Sequence, residues 1–228
     1  MSPDIEIIGD GCAALSLAAR ASELNHNIRL IKPSNAPTTN DHVWGFWSDP
    51  ILAAAQQLAR ATWQKWAIIT HNDCAVLSSE TRPYNAFKRS DWSEHCKGLA
   101  ELSKVTIVAE HEWEKSADSL LFDTRPPVVP NDCMLQHFQG IEVKTKQPCF
   151  DKDMAILMDF RVDQSKGMHF IYLLPYSTTE ALVESTLFST ELVDEEFYST
   201  SIESYLKEHC KVEEFSITHQ EKGVIPLG

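Results

Sequence analysis

The sequence predicts a mixed α+β / α/β protein, a Rossmann-type nucleotide-binding half interleaved with an antiparallel-sheet half. Three observations predict it. Residues 5–8 are a short apolar run, followed by Gly9-Asp10-Gly11 and then by apolar residues at helical spacing over 12–24. A polar break at 25–27 and a second apolar run at 28–31, closed by Pro33, complete a strand–turn–helix–strand unit. From Cys133 the character changes, and long apolar strands are predicted at 155–162, 168–175 and 181–189. No low-complexity linker separates the two characters, so the chain is expected to pass back and forth between two domains.

The remaining elements follow in order. Asp49-Pro50 supplies an N-cap and a first-turn proline, which predicts a helix running to residue 61. Residues 66–70 and 74–77 read as a hairpin, and Ser90-Asp91 opens a second capped helix. Strands are expected at 105–109 and 120–122, the latter running into Asp123-Thr124-Arg125-Pro126-Pro127. A helix over 194–208 and a strand over 214–218 close the pattern.

The turn after the first strand carries the first chemical expectation. In a dinucleotide-binding turn one glycine permits the bend, a second lets backbone approach pyrophosphate, and a third small residue brings helix against strand. Here those positions are Gly9, Gly11 and Ala14. The acidic residue that normally ends the second strand and holds the ribose is absent, and Lys32 stands there.

Composition narrows the partners. With 20 basic and 33 acidic residues the formal charge is −13, which argues against nucleic acid and against a broad basic membrane-docking face. The six cysteines show no metal-like spacing and read as reduced thiols. Residues 1–8 carry no signal-peptide pattern, and no stretch approaches the run of about 20 apolar residues that a spanning helix needs. A cytoplasmic product, soluble or peripheral at the inner membrane, is expected, with no metal.

A series of short motifs, taken in order, resembles the flavin-dependent lycopene cyclase family. They are Gly9-Asp10-Gly11-Cys12-Ala13-Ala14, His42-Val43-Trp44-Gly45-Phe46-Trp47, Tyr84-Asn85-Ala86-Phe87, Asp123-Thr124-Arg125-Pro126 and Gln136-His137-Phe138-Gln139-Gly140-Ile141-Glu142. Then come Met158-Asp159, Gln164, Tyr172-Leu173-Leu174-Pro175-Tyr176-Ser177, Leu182-Val183-Glu184-Ser185-Thr186 and Glu221-Lys222-Gly223-Val224-Ile225-Pro226. Two further positions depart from the pattern. Ser185 replaces the usual second acid, and the chain stops at Gly228, where the family continues, so a C-terminally truncated member is expected.

The resemblance implies an incomplete FAD/NAD(P)-binding domain (1–46 and 91–128), a substrate domain (47–90 and 129–220), and the start of a return to the nucleotide domain at 221–228. It implies acid-catalysed, non-redox ring closure at the ends of lycopene or a related acyclic carotenoid. Reduced FAD would be the cofactor, with NAD(P)H as reductant. Gly9, Gly11, Ala14, Asp123 and Arg125 would serve the cofactor, and His42, Trp44, Phe46 and Glu142 the substrate.

Glu184 is the candidate acid. On a strand of period two it shares a face with Leu182, Thr186 and Phe188, where desolvation would keep a carboxyl protonated near neutral pH. An exposed strand glutamate is the plainer reading of the pattern alone. Plain core packing explains Trp44, Phe46 and Trp47 equally well, a structural histidine explains His42, and an Asx-type turn explains Asp123 and Arg125. A flavin-dependent hydroxylase or isoprenoid reductase consuming NAD(P)H, or a non-catalytic carotenoid-binding fragment, are the alternatives.

Overall fold

The structure, a computed structural model, describes residues 4–35, 41–126, 130 and 132–227. In chain order β1 (Ile5–Ile8), α1 (Cys12–Ala18), α2 (Ala21–Leu24) and β2 (Ile28–Lys32) come first. They are followed by β3 (Val43–Trp47), α3 (Ala53–Gln57), β4 (Ala61–Trp63), β5 (Lys65–Ile69), β6 (Cys74–Ser78) and β7 (Tyr84–Lys88). Next are α4 (Arg89–Leu102), β8 (Thr106–Ala109) and β9 (Leu120–Asp123). The chain ends in β10 (Met134–Thr145), β11 (Met154–Asp159), β12 (Met168–Pro175), β13 (Glu180–Ser189), α5 (Glu195–His209) and β14 (Phe215–Leu227).

These elements form two compact units, 1–41 with 88–128 and 42–87 with 129–228. The first holds a parallel sheet in the order β8-β2-β1-β9. Ile5, Ile7, Ala14, Leu15, Ala18, Leu30, Cys96 and Ala100 make its core against α1 and α4. In the middle of this sheet Glu6 is fully buried. It is stabilised there by Trp113 Nε1 (2.9 Å), Ser116 N (3.1 Å), Ser119 Oγ (2.6 Å) and Arg29 Nη1 (3.3 Å), all donating to its carboxylate. That carboxylate ties the irregular 113–119 segment to the sheet.

The second unit holds a sheet in the order β14-β10-β13-β12-β11-β5-β6, antiparallel except where β11 runs parallel to β5. One face is covered by α5, whose Ile202, Tyr205 and Leu206 pack on Ile141, Val143, Ile171 and Val183. On the other face Trp63, Ala86, Val43 and Tyr84, from the small sheet β3-β7-β4, pack on Leu174 and Leu182.

Several expected boundaries move. The helix expected over 12–24 breaks at Ala19–Arg20, and its second piece ends on Asn25 in the left-handed region (φ 52°). The helix expected to reach residue 61 shrinks to a 3-10 turn and α3, because 61–63 pair with β7. Residues 42–46, expected in the nucleotide domain, belong to the second unit, since β3 pairs there with β7. Residues 88–90, expected in the substrate domain, belong to the first, where 89 and 90 open α4. Residues 221–227 do not return to the nucleotide domain. They continue β14, which pairs along the whole of β10, so the strand expected at 214–218 runs on to 227. Pro127 of the expected proline-stiffened turn lies outside the described residues.

Replacing Glu6 by Ala strands several donors and removes the tie to 113–119. The expected loss is about 2 kcal/mol or more of unfolding free energy, read from urea denaturation; an unchanged midpoint would contradict the role given to Glu6.

Candidate active site

The second unit builds an acidic site from the register of four strands. Glu221 of β14 pairs with Gly140 of β10, Gly140 with Glu184 of β13, and Glu184 with Tyr172 of β12. Residues opposite one another in a ladder point to the same face, so both glutamates stand on the face of Leu182 and Leu174. A side chain at 140 would stand between them. A Cβ there would lie 3.1 Å from Glu221 Cγ and 3.4 Å from Glu184 Cβ. Because position 140 is glycine, no side chain stands between the two acids, and their carboxyls lie close enough to act on one another.

Each carboxyl has further partners. Thr186 Oγ1 donates to Glu184 Oε1 (2.7 Å), and Val43 N donates to Glu221 Oε2 (2.9 Å). His219 Nε2 lies 3.6 Å from that same Glu221 oxygen. Glu184 is 9% exposed and Glu221 2%. Burial raises both carboxyls above the ordinary glutamate range, and the neighbouring Glu184 charge raises Glu221 further. Two acids raised in this way and set side by side favour holding a proton over carrying two like charges.

Aromatic rings surround the pair. Burial pushes the Tyr172 phenol up to about 12, and the Glu184 charge adds to it. Burial likewise raises Tyr84, with Tyr172 and Glu184 adding to it. The Tyr84 hydroxyl occupies the space a Cβ would take at Gly45, which explains a glycine inside β3. In the neighbouring row Glu142 forms an ion pair with Arg60, whose guanidinium lies 3.8 Å from the centre of the Tyr176 ring. The Tyr176 hydroxyl is buried with no hydrogen-bond partner among the described residues.

The sequence-predicted substrate residues divide. Glu142 shares the face of Glu184 by alternation along β10. Trp44 and Phe46 alternate away from Val43 and Gly45 and pack edge-on to Phe87 (ring centres 6.0 and 5.3 Å), so they are not the rings beside Glu184. His42 packs edge-on to Phe138. The rings beside the acid are Tyr84 and Tyr172. Ser185, where a second acid was expected, points to the opposite face, and its hydroxyl is 2.8 Å from Nε2 of the fully buried His169. An acid at 185 would face α5 and not Glu184.

In the first unit the glycine turn has the geometry its residue types demand. Gly9 has φ +141°, and a Cβ on it would overlap Thr124 Oγ1 and lie 3.1 Å from Ala14 Cβ. Ala14 is fully buried there, so a small residue is required for helix to meet strand. A Cβ on Gly11 would meet nothing within 4 Å, which leaves the backbone open to a ligand. β2 and β8 lie on one side of β1 and β9 on the other, and such a switch point is where open α/β sheets bind ligands. Asp123 pairs with Ile8 there, grips Arg125 through both carboxylate oxygens and accepts from Arg125 N (3.0 Å). Arg125 also donates to Glu110 Oε1 (3.0 Å). Glu110 in turn accepts from Ser34 N (2.9 Å), so this carboxylate, and not residue 32, lies beside the chain leaving β2.

The family model described as "Lycopene cyclase protein" matches residues 4–228. The chain belongs to the lycopene cyclase family. It is 32% identical to a lycopene beta-cyclase of Paracoccus sp. (strain N81106 / MBIC 01143), an alignment covering all of this chain and 62% of that protein. A geranylgeranyl bacteriochlorophyll reductase-like protein from Thermoplasma acidophilum superposes with TM-score 0.68 at 11% identity, over 98% of this chain and 66% of the other. A triple mutant of a flavin-dependent brominase superposes with TM-score 0.67 at 11% identity, over 99% and 68%. Those two likenesses show the mixed α/β fold that this chain shares with them.

The sequence left Glu221 open between a place near the active cavity, by resemblance, and an amphipathic strand, and gave Gly140, Tyr84 and Tyr172 no catalytic place, because strand register is what brings them together. A cleft of about 700 Å³ between α5 and residues 161–166 does not touch this pair. Among the described residues no cluster of three or more His, Cys, Asp or Glu is placed to hold a metal.

The raised carboxyls set a sign for stability against pH. Folded protein retains a proton that the unfolded chain has released, so wild-type stability falls as pH rises from the ordinary glutamate range towards neutrality and beyond. Glu184→Gln should flatten that fall and melt at a higher temperature than wild type at about pH 8. Parallel pH curves for the two would contradict a protonated pair.

Proposed function

We propose that this chain is the front part of a flavin-dependent lycopene cyclase that closes rings at the ends of an acyclic carotenoid by acid catalysis. The observation that carries the proposal is the buried carboxyl pair lined by tyrosine rings, both carboxyls raised above the ordinary glutamate range by burial. Ring closure needs a proton on a terminal double bond, and Glu184 is the member held by Thr186 on the face of Tyr84 and Tyr172. Protonation gives a carbocation, the neighbouring double bond attacks it, and loss of a proton completes the ring. Electrons are neither gained nor lost, so the reaction is an isomerisation. The faces of Tyr84 and Tyr172 offer negative quadrupole potential to the cation. A hydroxylase or reductase would differ by consuming one NAD(P)H for each product formed.

The turn residues Gly9, Gly11 and Ala14 would hold the pyrophosphate of FAD, with Asp123 and Arg125 beside them at the switch point. Reduced flavin, when bound, supplies negative charge that favours a carbocation, and NAD(P)H would keep it reduced. No helix among the described residues is long and apolar enough to cross a membrane. The substrate dissolves in bilayers, so peripheral contact on the cytoplasmic side of the inner membrane belongs to this reading.

In the full-length protein, Glu184→Gln is expected to lower cyclisation by about 10²–10⁴-fold while circular dichroism and flavin content stay unchanged. Activity within threefold of wild type would remove Glu184 from the chemistry. Gly11→Val places its side chain where the protein leaves open space. Its expected outcome is the melting curve of flavin-stripped wild type with loss of co-purifying flavin; retained flavin would contradict the assignment of the turn.

A further inference from the structure

We propose that Glu221 is a positioning residue for Glu184: across the gap at Gly140 the two carboxyls share one proton, and that sharing keeps Glu184 loaded as the acid at neutral pH. The inference rests on the cyclase reading for its purpose, but not for its chemistry.

The geometry has three parts. Register alone puts Glu221, residue 140 and Glu184 in one row, and only glycine at 140 leaves the two side chains free to meet. Each carboxyl has one fixed external donor, Thr186 Oγ1 for Glu184 and Val43 N for Glu221, and these hold the acids in place against each other. Of the described charged and titratable groups nearby, none but His219 is placed to offer the pair a positive charge, and its effect opposes the rise that burial causes. Tyr172 from β12 and Tyr84 from β7 are phenols that burial keeps neutral. Arg60 is committed to Glu142, with Tyr176 stacked on it. His219, opposite Glu142 in the neighbouring row, stands 3.6 Å from Glu221.

A single buried carboxyl is raised by desolvation alone. A second carboxyl close beside it makes the first proton easy to lose and the last one hard to lose, since its departure leaves two like charges side by side. After Glu184 delivers its proton to the substrate, the pair carries both charges and is a strong base towards the proton the ring must release. One proton enters the substrate and one returns, so the pair ends as it began.

The test is a pH titration of carboxylic-acid absorption by infrared difference spectroscopy on the full-length protein, without substrate, in wild type, Glu221→Gln and Glu184→Gln. Glutamine keeps the shape of the side chain and removes the charge. Wild type should hold one carboxylic-acid band well above neutral pH. In each single variant the remaining acid should titrate lower, with a proton affinity about tenfold or more below that of the last proton of the pair. Gly140→Ala, which wedges the side chains apart, should move the band the same way with both acids present. The alkaline limb of the cyclisation profile should shift to lower pH in Glu221→Gln. Identical band midpoints in wild type and in either glutamine variant would overturn the shared proton, even with cyclisation intact. Shifted midpoints in a protein that leaves lycopene unchanged would uphold the pair and overturn the cyclase reading instead.

Discussion

Burying two carboxyl groups against each other in the middle of a sheet is costly, and much of the second unit is arranged around meeting that cost. A lone ionised carboxylate in this environment would be unfavourable by several kcal/mol, at least about 3 by analogy with broken buried pairs. The cost is contained by keeping a proton on the pair, by the Thr186 hydroxyl and the Val43 amide, and by tyrosines whose hydroxyls stay neutral. Glycines at 140 and 45 are the backbone's share. One lets the acids meet, and the other admits the Tyr84 ring.

The sheet keeps its two faces chemically separate. Towards α5 it presents an aliphatic core and two buried histidines, His137 and His169, that burial keeps neutral. His137 is hydrogen-bonded to Tyr198 and Ser189, and His169 to Ser185 and the Asp163 carbonyl. Towards the small sheet it presents acids, tyrosines and the Arg60–Glu142 pair. Period-two alternation makes this division sharp enough that Glu184 and Ser185, adjacent in sequence, serve different faces. Serine at 185 is therefore compatible with an intact acid on the other side.

What was legible in the sequence was local. The apolar runs at 5–8 and 168–175, and the helix after Asp194, were set by hydrophobic period and by acidic residues in the helix's first turn, and fall where the pattern put them. Glu184 was legible as a carboxyl among apolar neighbours on one strand face. Its partner was not, since Glu221 lies 37 residues on in sequence and meets it only through β10. β14 was underestimated for a related reason. Lys222, Gly223 and Pro226 interrupt its pattern, yet a long partner strand holds it in register to Leu227. Trp44 and Phe46 drew attention through the family motif they belong to, while the rings beside the acid came from Tyr84 and Tyr172, whose side is decided by pairing.

The first unit depends on a different constraint, backbone geometry at one turn. Gly9 in the left-handed half of conformational space, Ala14 packed beneath it and open space at Gly11 are the requirements of a bound pyrophosphate, met within six residues. The direct test of the whole account is cyclisation by the full-length protein in deuterated water with the nicotinamide absorbance followed alongside. Acid-catalysed isomerisation predicts one deuterium retained for each ring closed and no stoichiometric consumption of NAD(P)H. Rings formed without solvent deuterium, or with one NAD(P)H oxidised per ring, would contradict it.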